Sequence, residues 1–273
     1  MLGKLFKYEL RTTWKIPVLF VGVLLIISLV TGTSIAMMIW SIKSGQEWIG
    51  FPLSVFALAL VYYAALIATN LGVTIYLAVH FYKSMYTDEG YLTHTLPVTS
   101  HQLLISKGLT ICIWNLAAVA GVFLSMLLLG GSLMLFMAEE FADIKDAVTK
   151  VLRMGMEMHL GGFLGSAGAM MAVSVFYSAS VIMGSITIGQ MLRKHRILGA
   201  IGAYFGITSV VGAVSMVLSM VVMFASVTMI NDPMDIFSVY TPMYLIMAII
   251  EVAACVGLYF LSEYLIRKHL ELE

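Results

Sequence analysis

Six long runs of apolar residues, separated by short polar segments, dominate the pattern along the chain. Each run exceeds the roughly 18 to 20 residues that cross a bilayer as a helix. The apolar residues are nearly continuous, whereas strands of a membrane β-barrel alternate apolar and polar positions. The pattern predicts an all-α integral membrane protein with a single transmembrane domain over residues 1–273, whose six spans cover about residues 16–40, 51–81, 103–137, 160–192, 197–225 and 242–266.

Lysine and arginine are unevenly distributed between the ends and the gaps. Of the 15 basic residues, eleven lie before the first span, around the second and fourth gaps or after the last span, and four lie in the first and third gaps. Because basic residues accumulate on the cytoplasmic side, both termini are predicted to be cytoplasmic. We therefore expect a multi-pass protein of the cell (plasma) membrane, of bacterial origin.

The composition supports a membrane protein and gives no sign of nucleic-acid binding. Hydrophobic residues make up 61% of the chain and charged residues 11%, against about 25% charged residues in soluble domains. The formal net charge is zero, so the bulk charge gives no indication of nucleic-acid binding. The lipid bilayer is thus an expected partner and nucleic acid is not.

The first 15 residues have the pattern of an amphipathic helix at the cytoplasmic membrane interface. At about 100° per residue, the apolar residues fall on one side and the basic residues on the other. Glu9 lies within the apolar side. Two explanations are open: its carboxylate reaches the polar edge of the helix, or it contacts a protein partner.

The gap over residues 82–102 is more polar than a bare connection between spans needs to be. It holds two adjacent acids, three tyrosines, a glycine and a proline, and the charge distribution places it in the cytoplasm. Residues 89–96 are long enough for a short helix parallel to the membrane, with a well-capped turn as the alternative. The segment is the predicted docking site for a soluble partner.

The end of this gap has the residues that start a helix. Thr99 and Gln102 have the spacing of a capping box, in which the threonine side chain accepts a hydrogen bond from the N–H three residues later. Pro97 disfavours the helical conformation at Leu96, so the chain arrives extended. We therefore expect the third long helix to begin at Ser100, before the membrane.

Two stretches resemble a known family. Residues 88–107 read DEGYLTHTLPVTSHQLLISK and residues 7–10 read KYEL. They are similar to the permease subunits of ABC exporters of the type-2 class. The resemblance implies six spans, an N-terminal interfacial helix, and a coupling helix between spans two and three that sits in a cleft of a separate ATP-binding subunit.

The resemblance also implies which residues couple the chain to that subunit. The sequence departs from the family pattern at one place: many members carry a Thr-Leu-Glu run after the glycine, whereas this chain has Tyr-Leu-Thr-His. Glu9 is expected to support the coupling helix from the interfacial helix. The implied coupling residues are Glu9, Asp88, Glu89, Gly90, Tyr91, Leu92, Leu96 and Pro97.

The sequence contains no G-x-x-x-x-G-K-[ST] phosphate loop and no H-E-x-x-H zinc motif. The chain therefore lacks the sequence that binds ATP in P-loop ATPases. If the energy comes from ATP, an ATP-binding cassette subunit must bind the ATP and Mg²⁺, and we expect no cofactor, no metal and no enzymatic activity in this chain. The resemblance also implies a second permease subunit, identical or related.

Glu251 is the one acidic residue deep within a predicted span. An ionised carboxylate at mid-membrane costs about 2.5–3.5 kcal/mol on insertion scales, so it should face protein or water. Glu251 is either a residue of the substrate route or dimer interface, or a protonated packing residue.

Two pairs of glycines have the spacing that allows two helices to pack closely. They are Gly161 with Gly165 and Gly202 with Gly206.

The leading hypothesis is a membrane subunit of an ATP-driven exporter, whose dimer forms the route for an amphipathic peptide, lipid or drug. The alternative is a secondary transporter or channel that works without ATP. That alternative predicts several polar residues and broken helices at mid-membrane. Apart from Glu251 and Asn70, the spans contain few such residues.

Overall fold

A computed structural model describes residues 2–45, 50–87, 99–136, 149–150, 153, 160–192, 195–229 and 236–269. This part of the chain contains no strand and seven α-helices, which confirms the all-α fold class. A short α1 precedes six long helices. The helices are α1 (Leu2–Thr13), α2 (Lys15–Lys43), α3 (Gly50–Tyr86), α4 (Ser100–Phe136), α5 (Leu160–Gly189), α6 (Arg196–Met229) and α7 (Ile236–His269).

Helices α2 to α7 are each long and apolar enough to cross a membrane, which confirms six candidate spans. Each coincides with one predicted apolar run. The largest differences are at α7, which begins at Ile236, six residues before the predicted run, with Pro242 inside the helix, and at α3, whose helix continues to Tyr86 although its apolar run ends near residue 81. The placement of α1 at a membrane interface stays a prediction. The apolar stretches are Lys15–Lys43, Leu53–Tyr86, His101–Met134, Gly161–Gly189, Arg196–Ser226 and Val239–Lys268.

The predicted start of α4 is confirmed. The helix begins at Ser100, and the N–H of Gln102 donates to Oγ1 of Thr99 at 3.3 Å. The threonine side chain therefore satisfies one of the N–H groups that a helix start leaves unpaired. The sequence signal was specific because capping depends on neighbouring residues alone.

The chain divides into two compact units. The first contains Met1–Glu9, Ala78–Cys112 and Lys150–Glu273, and the second contains Leu10–Leu77 and Ile113–Thr149. In the first unit α5, α6 and α7 pack on one another, with α5 against α7 the most extensive pair. Buried Ile182 and Ile186 of α5 and Leu258 of α7 belong to its core.

In the second unit, α2 packs closely against α3 and α4. Side chains of Phe20 and Val21 occupy the space beside Gly72 of α3 and Gly121 of α4, where any larger residue would collide with them. Polar contacts accompany this packing: the hydroxyls of Tyr62 on α3 and Ser125 on α4 are 3.0 Å apart, and Trp114 donates to Thr13 Oγ1 at 2.8 Å. Small residues thus admit the large ones of a neighbouring helix.

The predicted packing role of the two glycine pairs is wrong within this chain. A methyl group added at Gly161, Gly165, Gly202 or Gly206 would meet no atom of the described residues within 4 Å. The close approach is elsewhere, at buried Gly189, where an added methyl carbon would lie 2.6 Å from Cα of Ala200 on α6. Small-xxx-small spacing permits close packing but does not require it, and the chain has 23 glycines.

Candidate functional site

The predicted coupling residues are only partly within the described chain. Asp88, Glu89, Gly90 and the others between residues 91 and 97 lie outside the described residues, so their roles stay predictions. The structure describes the chain up to Thr87 and again from Thr99. The structure therefore describes the residues on both sides of the segment, and it also describes Glu9.

Glu9 lies in a group of four polar side chains from three helices, here called the charged cluster. Lys107 Nζ on α4 donates to Glu9 Oε1 at 2.6 Å and to Ser84 Oγ on α3 at 2.8 Å. His80 Nε2 on α3 lies 3.0 Å from Glu9 Oε2. The side chain of Lys107 is only 3% exposed and that of Glu9 14%. A buried ammonium is tolerated here because the carboxylate and a hydroxyl satisfy it.

The charged cluster keeps Glu9 ionised. Burial alone would raise the pKa of this carboxyl. The hydrogen bond from His80 and the charge and hydrogen bond of Lys107 outweigh that effect and lower the pKa of Glu9 from 4.5 to about 2. The cluster is therefore an ion pair at neutral pH, in which the carboxylate of α1 is held by α3 and α4.

The charged cluster lies near both ends of the segment that contains the predicted coupling residues. His80 and Ser84, four residues apart, share a face of α3 near its end at Tyr86. Lys107 lies seven residues after the start of α4 at Ser100. At 1.5 Å per residue, each contact is within about 10 Å of the helix end. Glu9 thus ties α1 to both helices that flank residues 88–98.

The sequence reasoning missed three members of this cluster. It counted Lys107 among the charges that border the second gap, and the structure adds that this residue lies inside α4 and is buried. It also left Glu9 with two explanations, to which the structure adds a third, contacts within the same chain. A lysine two turns inside an apolar helix needs a counter-charge, and Glu9 was the unexplained acid.

Two further contacts, here called the flank contacts, join the ends of α3 and α4 to other helices. Tyr86 near the end of α3 donates to Thr187 Oγ1 on α5 at 3.0 Å, and both residues are buried. The hydroxyl of Tyr259 on α7 lies 2.6 Å from His101 Nδ1 in the first turn of α4. The segment between the two flanks is therefore connected to α5 and α7.

Glu251 lies near the middle of α7, about 18 Å from Val239, where the apolar stretch begins. It lines a groove of 470 Å³ between α5, α6 and α7. Its Oε2 is buried and has no hydrogen-bond partner among the described residues. The structure therefore places Glu251 in a cavity within the first unit. Tyr259, which makes one of the flank contacts, lies further along the same helix.

Comparisons of the chain with protein-family models, with curated proteins and with solved structures found no match. The likeness to ABC permeases thus consists of the residues quoted from the sequence. The geometry adds the charged cluster, the flank contacts and the Glu251 groove.

Lowering the pH should weaken the charged cluster within a defined window. The depressed pKa of Glu9 contributes stability that is fully present above about 4.5 and is lost as the pH falls through about 2. The shift corresponds to about 3 kcal/mol. As the pH falls through this window, the free energy of unfolding should decrease in both the unchanged protein and Glu9→Gln. The decrease should be larger by about 3 kcal/mol in the unchanged protein, measured by denaturant unfolding in micelles. Parallel curves for the two proteins would contradict the ion pair.

Proposed function

We propose that this chain is the membrane-spanning permease subunit of an ATP-driven exporter of the ABC type-2 class. The charged cluster is the observation that carries the proposal. It holds the carboxylate of Glu9 against Lys107 and His80, on the two helices that lead into and out of residues 88–98. A connection that only joined two spans would have no need for a buried ion pair with a third helix.

In this proposal, residues 88–98 receive mechanical work from an ATP-binding subunit. Force applied to the segment displaces the end of α3 and the start of α4. The charged cluster then moves α1 together with them, and the flank contacts transmit the displacement to α5 and α7. Those two helices also line the groove at Glu251, so the receiving segment and a candidate cargo site share the same helices.

The proposal requires two partners. The ATP-binding cassette subunit binds ATP and Mg²⁺, because this chain contains no phosphate loop. A second permease subunit, identical or related, completes the route for an amphipathic peptide, lipid or drug. The proposed location is the plasma membrane of a bacterium, with residues 88–98 and both termini in the cytoplasm.

Glu251 favours one alternative, a secondary transporter that moves its cargo without ATP. A carboxyl group at mid-membrane is the usual place for a coupling ion in such proteins. The two functions differ in one observable result. A secondary transporter retains transport in vesicles that hold this chain alone, whereas the proposed exporter is inactive without its ATP-binding subunit and ATP.

Association with the ATP-binding subunit tests the proposal directly. The full chain is co-expressed with the proteins encoded by the neighbouring genes and purified through a tag on the permease. We expect an ATPase to co-purify with the unchanged chain. Glu89→Lys and Leu92→Asp should each weaken the association at least tenfold, about 1.4 kcal/mol, because they alter the charge and the apolar contact of the docking segment.

Glu47→Lys is the matched control. It makes the same charge reversal in the first gap, on the predicted outer side, and should leave the association unchanged. The proposal is wrong if no ATPase co-purifies with the unchanged chain, or if Glu89→Lys and Leu92→Asp bind it as well as Glu47→Lys does.

A further inference from the structure

The groove between α5, α6 and α7 has the size of a small-molecule site. Its volume of 470 Å³ lies within the roughly 300–1,000 Å³ of such sites. Three of its α6 residues are about half exposed, so the groove is open along that helix: Met216, Met220 and Met223 are 59%, 51% and 42% exposed. A molecule dissolved in the bilayer could therefore enter it laterally.

Methionine dominates the wall of the groove. Unbranched thioether side chains change rotamer easily and adapt to irregular shapes, and surfaces rich in methionine accept varied partners by repacking. The groove is therefore suited to an apolar body of no fixed shape. The methionines come from all three helices; they are Met170, Met216, Met220, Met223, Met243 and Met247.

The polar groups of the groove differ in whether they are already satisfied. Thr208 Oγ1 donates to the carbonyl of Tyr204 at 2.8 Å, and Ser219 Oγ donates to that of Met216 at 2.9 Å. Both hydroxyl hydrogens are thus used within α6. Glu251 Oε2 has no such partner in the described part of the chain, so its carboxyl group is available to a ligand.

The charge in the groove has one sign. Of the described residues that line it, none is lysine, arginine or histidine, and Glu251 is the one acid. An ionised carboxylate is unfavourable in the hydrocarbon region unless an opposite charge lies beside it. A cationic ligand supplies that charge, and the aromatic side chain of Tyr177 also lines the groove.

We propose that this groove binds amphipathic organic cations, with the carboxylate of Glu251 paired to the positive charge and the methionines around the apolar body. The inference deepens the proposed export function and rests on it for the ligand's role as cargo. Binding itself requires only this chain.

The test is equilibrium binding of tetraphenylphosphonium to the full chain in lipid nanodiscs. We expect saturable binding that weakens at least tenfold in Glu251→Gln, which keeps the shape and removes the charge. The matched control, Glu47→Gln, makes the same change in the first gap and should bind within twofold of the unchanged chain. Met220→Trp keeps the carboxylate but fills the groove, and it should also weaken binding at least tenfold.

Three results would overturn the inference. One is equal affinity in the unchanged chain and Glu251→Gln, with both folded. Another is competition by neutral triphenylphosphine oxide as strong as that by the cation, which would indicate a site for an uncharged body such as a lipid chain. The third is no saturable binding at all, as expected if a second copy of the chain covers the groove.

Failure here is separate from failure of the proposed function. Tetraphenylphosphonium binding is measured without an ATP-binding subunit, and association with that subunit is measured without a ligand. A chain that binds the ATPase but not the cation would keep the export function and lose only the substrate class.

Discussion

Glu9→Gln should lower the free energy of unfolding by about 3–5 kcal/mol, since removing one partner of a buried ion pair leaves the other charge uncompensated. Here that charge is the ammonium of Lys107, which is 3% exposed and would then face neutral groups, the hydroxyl of Ser84 and the amide of the new glutamine. The measurement is denaturant unfolding in mixed micelles at neutral pH, followed by circular dichroism.

The double variant Glu9→Gln with Lys107→Met distinguishes the ion pair from a loss of packing. Removing both charges should recover most of the lost stability, because no buried charge remains. Glu263→Gln is the control: its carboxylate lies 2.8 Å from Arg267 and 3.7 Å from His101, but these two partners are 64% and 48% exposed, and pairs with such solvent-exposed partners contribute less than about 1 kcal/mol. Equal losses in Glu9→Gln and Glu263→Gln would refute the buried cluster.

Gly189→Ala should lower the free energy of unfolding by about 1–3 kcal/mol, the usual cost of overpacking. The added methyl carbon would lie 2.6 Å from Cα of Ala200, and backbone cannot move aside as a flexible side chain can. Helices α5 and α6 must separate to admit it. The same unfolding assay measures the effect.

Gly165→Ala is the matched control for this second variant. It makes the same change on α5, where no atom of the part of the chain that the structure describes lies within 4 Å of the added carbon. Because alanine favours helix over glycine by about 0.5–1 kcal/mol, the control should be as stable as the unchanged chain or slightly more so. A loss at Gly165 as large as that at Gly189 would show that the close approach does not matter.

Elements governed by local sequence were predicted well. The six spans follow from uninterrupted apolar runs, because backbone groups in lipid must be satisfied within the helix. The start of α4 follows from Thr99 and Gln102, which act within one turn. The end of α3 was predicted about one turn early, because hydropathy marks the apolar stretch and the helix continues beyond it.

The candidate site could be predicted only in part, because its members are far apart in the chain. Glu9 and Lys107 are separated by 98 positions and Glu9 and His80 by 71, and no local pattern pairs them. Glu251 was recognised as an isolated acid, but the methionine wall of its groove comes from three helices. The packing role predicted from the glycine spacing was wrong for the same reason, since the spacing does not indicate which helix lies next to the glycines.

The separation of Glu9 from Lys107 also orders the biogenesis of the protein. Ribosomes extend a chain by about 5–20 residues per second, so Glu9 emerges roughly 5–20 s before the lysine that neutralises it. During that interval α1 and the first two spans exist without the ammonium. The N-terminal helix therefore reaches its final position only when α4 is made, and a nascent chain truncated before residue 107 should leave α1 accessible to protease.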